Sequence, residues 1–94
     1  MNKHRVEHQA DESLFFINLE EGENAFLRYR LMESLADGGQ VDFFSTFVPD
    51  SHRGQGLAAQ LVEAGFDWAE AEGLTIKTSC WYAAKIMDER QAQS

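Results

Sequence analysis

Residues 48–59 read Val48-Pro49-Asp50-Ser51-His52-Arg53-Gly54-Gln55-Gly56-Leu57-Ala58-Ala59, and within them the chain changes period. Upstream, Val41 to Val48 is a run of aromatic and β-branched residues suited to a strand, which Pro49 ends. Downstream, Leu57, Ala58, Leu61, Val62, Gly65, Phe66, Trp68 and Ala69 recur at helical spacing, with Gln60, Glu63, Asp67 and Glu70 opposite. A glycine-bearing turn from strand to helix leaves unhindered N–H groups at a helix N-terminus. Unpaired donors and the positive end of the macrodipole favour an anion there, and Arg53 adds a cation.

Two familiar phosphate sites do not fit. Gly54-x-Gly56-x-x-Ala59 satisfies the dinucleotide fingerprint, but that site needs an acidic residue at the end of the next strand, and here the strand ends Lys77-Thr78-Ser79-Cys80. A doubly wound domain also needs more strand and helix units than 94 residues supply. A P-loop fails because no Gly-Lys-Ser/Thr follows. A loop that merely starts a helix stays open as an alternative on these residues alone.

Working outward, residues 4–8 form a weak strand, Asp11-Glu12-Ser13 a turn, Leu14 to Leu19 a strand, and Glu20 to Asn24 a hairpin turn. Ala25 to Met32 alternates Arg28 and Arg30 against Leu27, Tyr29 and Leu31, as a half-buried strand does. Asp37 to Gln40 turns the chain into the strand before the loop, which completes an antiparallel meander. The helix after the loop spans about four turns, capped near Gly73, and Gly65 inside it suggests close approach to the sheet. Leu74 to Cys80 is the next strand, and the short link makes it parallel to the strand before the loop. Trp81 to Arg90 is a terminal helix, with fraying expected over residues 91–94. The fold class is α/β in the α+β sense: one domain over residues 1–94, with a mixed, mostly antiparallel sheet of about five strands and two helices.

The net charge of −8 argues against nucleic acid, whose binders cluster Lys and Arg, and suits an amine substrate, although most of the acids serve solvation. With 44% hydrophobic residues there is material for a single core, and a core this small makes stability depend on ligand or on dimer formation. Monomer and homodimer both stay open. A lone cysteine makes no internal disulfide and the N-terminus lacks a signal-peptide apolar run, so no membrane and a cytoplasmic setting are expected. His4 and His8 share a strand face roughly 13 Å apart, too far to share a metal, and no metal site is expected.

Three stretches carry a family resemblance: Arg5-Val6-Glu7-His8, then Thr46-x-Val48-Pro49 with Arg53-Gly54-Gln55-Gly56-Leu57-Ala58, and Cys80-Trp81-Tyr82. Together with the element order they resemble the GCN5-related N-acetyltransferases, the GNAT family, and in particular its very small members, without the usual N-terminal helices and last strand pair. The resemblance implies a minimal GNAT domain and an N-acetyltransferase that moves an acetyl group from acetyl-CoA to a small-molecule or protein amine. A catalytically weak acyl-CoA-binding or sensing module is the alternative, and an interaction protein that uses only the scaffold is a third. By the resemblance, backbone groups of Phe47 and Val48 hold the pantetheine arm, and the loop Arg53, Gly54, Gln55, Gly56, Leu57 and Ala58 holds the diphosphate.

Cys80 and Tyr82 are the catalytic candidates the resemblance implies, as acetyl-carrying nucleophile and as proton donor to the departing thiolate. Read from the residues alone, Cys80 is a small core residue at a strand end, Tyr82 serves equally well in packing, and Trp81 is packing. A thiol near a helix N-terminus has a lowered pKa, which suits a nucleophile. One small member of the family has a His and a Glu flanking the shared Thr, where this chain has Ser45 and Phe47. A general base must then come from elsewhere: His52, itself more simply an exposed loop residue, His8, or a held water.

Overall fold

The alternation read in the sequence builds a five-stranded sheet in the computed structural model, which describes residues 5–19, 22–32 and 39–93. Strands β1 (Val6–Gln9), β2 (Leu14–Asn18), β3 (Asn24–Met32) and β4 (Gln40–Phe47) form an antiparallel meander. Helix α1 (Leu57–Ala71) then crosses back, so that β5 (Thr75–Thr78) lies parallel to β4, and α2 (Trp81–Gln93) follows. The sheet order is β1-β2-β3-β4-β5.

Inward-facing Phe15 and Ile17 on β2, Ala25, Leu27 and Tyr29 on β3, and Val41 and Phe43 on β4 are buried. They meet Leu57, Leu61, Val62, Phe66 and Ala69 of α1, with Ala83 and Ile86 of α2 closing the cluster. Each large side chain buried there contributes about 2 kcal/mol. Gly65 is where α1 comes down on the sheet. A Cβ built on it would stand 2.8 Å from Phe43 Cε1 and 3.0 Å from Leu27 Cδ2, so only glycine lets the helix approach this far. After α1, the Leu74 amide donates to the Ala69 carbonyl at 2.9 Å and that of Gly73 to Glu70 at 3.1 Å, a Schellman closure with Gly73 at φ +72. Arg90 ties α2 to α1 through Glu63 at 2.8 Å and Asp67 at 3.1 Å.

Several boundaries differ from those read in the sequence. The first strand runs Val6–Gln9, with His4 outside the described residues, and the turn after it is a 3-10 turn over Ala10–Glu12 with Ser13 left-handed at φ 57. Parts of two predicted turns, at residues 20–21 and 37–38, also fall outside them. The last strand is only Thr75–Thr78, and the terminal helix continues past Arg90 to Gln93.

The register of β4 positions the site. Arg28 pairs with Ser45 but Tyr29 with Phe43, so Phe44 is an extra residue, a bulge in β4. Bulges bend a strand and increase its twist. On its other edge β4 pairs with β5 only from Gln40 to Phe43. The two strands part there, and the Phe43 carbonyl takes the amides of both Ser79 and Cys80 at 3.1 Å as the chain turns away.

Candidate active site

Where β4 and β5 part, a cleft of about 480 Å³ opens, lined by the end of β4, the loop after it and the start of α2. It brings together Phe47, Val48, Arg53, Gly54, Gly56, Leu57, Ala58, Cys80 and Tyr82, nine of the coenzyme-binding and catalytic candidates, with Thr46, His52 and Trp81 beside them. Gln55, the remaining loop residue, is exposed and outside the lining.

The loop is built to receive an anion. Gly54 and Gly56 hold φ of +85 and +77, and a Cβ on either would meet nothing within 4 Å, which leaves space for a ligand rather than for protein. Gly56 stands at the N-cap of α1 without a side-chain cap, and the first turn of α1 carries no acidic residue. Its free N–H groups and dipole are therefore not answered from within the helix. Arg53 donates from Nε to the Val48 carbonyl at 3.2 Å and pairs with Asp50 at 3.0 Å, which braces the guanidinium across the loop. Both partners are exposed, so the pair orients Arg53 more than it stabilises the fold. The Val48 carbonyl accepts from Arg53, with a second lone pair left over, and the backbone edge of β4 beyond Phe43 pairs with no strand on the β5 side among the described residues.

Cys80 immediately precedes α2, and its sulfur lies 3.4 Å from the Thr46 hydroxyl. Burial pushes the thiol pKa up, but hydrogen bonds from the Thr46 side chain and from backbone groups of Ala83, Tyr82 and Thr46 outweigh it, so Cys80 titrates below its ordinary value of 9.0. The sulfur thus sits where a capping side chain would receive the amides of a helix's first turn. Tyr82 goes the other way. Burial, and then the charge of Glu89, raise its pKa above 10.0, so it keeps its proton at neutral pH.

The structure corrects the remaining assignments. Trp81 is not packing: it is 75% exposed at the cleft, edge-on to Tyr82 at 5.9 Å. His52 is not a simple exposed loop residue, because its side chain is only 13% exposed and its Nδ1 lies 2.9 Å from the Ser51 hydroxyl, with Glu23 at 4.0 Å. His8 is no base for this cleft. It lies on β1, the far edge of the sheet, stacked on Phe15 at 4.1 Å with Nε2 2.6 Å from the Tyr29 hydroxyl. Among the described residues no three His, Cys, Asp or Glu side chains are grouped to hold a metal, and no helix is long and apolar enough to cross a membrane.

Two contributors had no role assigned from the sequence. Thr46 faces the core side as the cross-strand partner of Leu27, a placement that depends on the bulge one pair away. Asp42, buried at 5% exposure, accepts the Ser79 amide at 3.0 Å and the Ser79 hydroxyl at 2.8 Å, and so clips the chain at the point where the strands part. An aspartate inside an otherwise apolar strand was the available signal.

The family sequence model described as GCN5-related N-acetyl-transferase matches residues 14–93. This chain belongs to the GNAT family. Protein NATD1 of Mus musculus is 34% identical over 86 residues, 90% of this chain and 74% of the relative. Protein NATD1 of Homo sapiens is 34% identical over 90% of this chain and 73% of its own length. Among solved structures, a ribosomal-protein-alanine N-acetyltransferase from Brucella melitensis biovar Abortus 2308 superposes with a TM-score of 0.59 at 17% identity, covering 84% of this chain. The chain spans 63% of that enzyme's length, and the likeness is one of fold. The GNAT family and the five-stranded α+β architecture are thus as the sequence implied, and the parting of β4 from β5 falls beside the glycine loop of an acetyltransferase domain.

Proposed function

We propose that this chain is an acetyl-CoA-dependent N-acetyltransferase in which Cys80 carries the acetyl group on its way to an amine. One observation carries the reading: a thiol of lowered pKa stands in the same cleft as an uncapped, glycine-lined helix N-terminus. The residues fit the coenzyme. Open space over Gly54 and Gly56, the free amides at the start of α1 and the braced Arg53 suit a diphosphate, and the unpaired edge of β4 at Phe47 suits an amide-bearing arm. Bound there, acetyl-CoA supplies an activated acyl group as a thioester.

The chain's own groups account for the rest. The Cys80 thiolate, held by Thr46 and the first turn of α2, attacks the acyl carbon; a new C–S bond forms and the bond to the coenzyme sulfur breaks. Tyr82, which stays protonated at neutral pH, gives its proton to the departing thiolate. A deprotonated amine then attacks the acetylated Cys80, the C–N bond forms, the amine proton passes to the Tyr82 phenolate and Cys80 leaves as thiolate. Ser45 and Phe47 occupy the positions where one small relative has a His and a Glu, so β4 offers no carboxylate beside Thr46.

A catalytically weak acyl-CoA-binding or sensing module is the second reading, favoured by that missing carboxylate. Calorimetry with acetyl-CoA tests both. Binding by the wild type, lost in a folded Gly56→Val variant, is expected, because a β-branched residue at φ +77 is strained and its side chain fills the space over the loop. Unchanged affinity in that variant removes the coenzyme assignment, and binding without turnover of any amine in a broad panel leaves the module.

A further inference from the structure

The sheet has two unlike faces. Both helices pack on one, while the other carries Phe16, Phe26, Phe44 and Phe47 with no described element over them. Phe16, Phe26 and Phe47 are successive cross-strand partners, and the rings of Phe26 and Phe47 stack at 5.3 Å. Over this aromatic surface lie cations: the Arg28 guanidinium stands 5.0 Å from the Phe26 ring and that of Arg30 4.5 Å from the Phe44 ring. Lys77 shares the face through its register with Asp42, itself the partner of Arg30.

In a chain with only eight Lys and Arg and a net charge of −8, this is a local reversal of sign. Two acids share the face: Asp42 offsets Arg30, which it meets at 4.0 Å, and Glu7 sits on the far edge strand, where Asn18 donates to it at 3.4 Å, so Arg28 and Lys77 carry the excess positive charge. Arg28 makes no ion pair with the described residues. Phe47, 44% exposed, belongs both to this face and to the lining of the cleft that also holds Cys80, so the face adjoins the cleft.

We infer that this face is the acceptor-docking surface, and that the acceptor is a protein whose amine adjoins an acidic segment with apolar side chains between its carboxylates. The inference rests on the acyl-transfer reading above and adds the substrate class to it. Apolar side chains lie on the phenylalanine rings, carboxylates meet Arg28, Arg30 and Lys77, and the amine passes Phe47 into the cleft. Arg28 to Arg30 spans roughly 7 Å, and β2 to β4 roughly 10 Å, the scale of a short peptide segment. A polyamine would meet like charge there.

Two synthetic peptides test it. Each has a free α-amine and alternating Phe and Leu; one carries Glu at the positions between, the other Lys, and both bear a fluorophore at the C-terminus. With acetyl-CoA bound, anisotropy is expected to show the Glu peptide binding at least about tenfold more tightly, with the preference falling as salt rises. Arg28→Glu is expected to remove most of that preference and, where the peptide is acetylated, to raise KM with kcat little changed, while acetyl-CoA affinity stays at the wild-type value. Equal or tighter binding of the Lys peptide, or an Arg28→Glu variant that keeps the wild-type preference, overturns the inference. So does a dimer in sedimentation that Arg28→Glu dissolves, because a second copy then covers the face. Failure of the wild type to bind acetyl-CoA sinks the acyl-transfer reading instead, and that result is read in a separate titration.

Discussion

The Thr46 hydroxyl and the Cys80 sulfur lie 3.4 Å apart, across the gap left where β4 and β5 diverge. Thr46 is the side chain that, with the backbone of α2's first turn, holds the thiol below its ordinary pKa against the effect of burial. Thr46→Val should therefore raise the thiol pKa. The expected outcome is slower alkylation of Cys80 by iodoacetamide at neutral pH and a pH–rate curve displaced upward relative to wild type. Superimposable curves would show that the Thr46 contact does not tune the sulfur.

Cys80→Ala is expected to keep acetyl-CoA binding and lose nearly all transfer, and Cys80→Ser to be nearly as inactive. Intact-protein mass spectrometry of the wild type should then show an acetyl adduct after incubation with acetyl-CoA. Substantial turnover in Cys80→Ala, with no adduct on the wild type, would leave direct transfer to the amine as the mechanism.

Asp42 acts on the site through Ser79. Its buried carboxylate receives both the amide and the hydroxyl of Ser79, one residue before Cys80. Asp42→Ala leaves the Ser79 hydroxyl without its acceptor, and a loss of about 2 kcal/mol is expected in urea unfolding. Ser79→Ala should cost less, since the backbone bond to Phe43 persists. Equal stability of Asp42→Ala and wild type would remove the clip.

Gly65→Ala sets two effects against each other. Alanine favours the helix by about 1 kcal/mol, but its methyl would stand 2.8 Å from the Phe43 ring. Overpacking of a filled core costs about 1–3 kcal/mol, so the variant should be slightly less stable, and Gly65→Val clearly so. A stabilised Gly65→Ala would mean that Phe43 yields freely.

Stability should also fall on mild acidification because of His8. Burial lowers its pKa from the ordinary 6.5. Above 6.5 it is neutral whether folded or unfolded, and its contribution is fully present. As pH drops through that value the unfolded chain takes up the proton first, and stability is lost until the folded histidine is protonated as well. His8→Gln should flatten this part of the melting temperature against pH profile, and an unaltered profile would place the titration elsewhere.

Local pattern decided much of this protein. Alternation along β3, helical spacing from Leu57 to Ala69 and the Pro49-to-Gly56 punctuation depend on neighbours in the chain, so element order, the parallel fifth strand and the position of the glycine loop were readable from residues alone. Gly65 was readable too, since glycine inside an amphipathic helix marks a close approach. Pairing between strands decided the rest. One extra residue, Phe44, shifts the register of β4, and because side chains alternate with period two it sets which face Thr46 and Phe47 present. No local pattern encodes that shift, and with it go the Thr46 contact to Cys80, the unpaired edge of β4 and the placing of the arginine-bearing face beside the cleft. The three-dimensional order β1 to β5 likewise carries His8 to the far edge, while the fold of the loop covers His52 and the start of α2 leaves Trp81 in the open. Exposure and proximity of this kind are properties of packing between distant segments, which only the tertiary structure supplies.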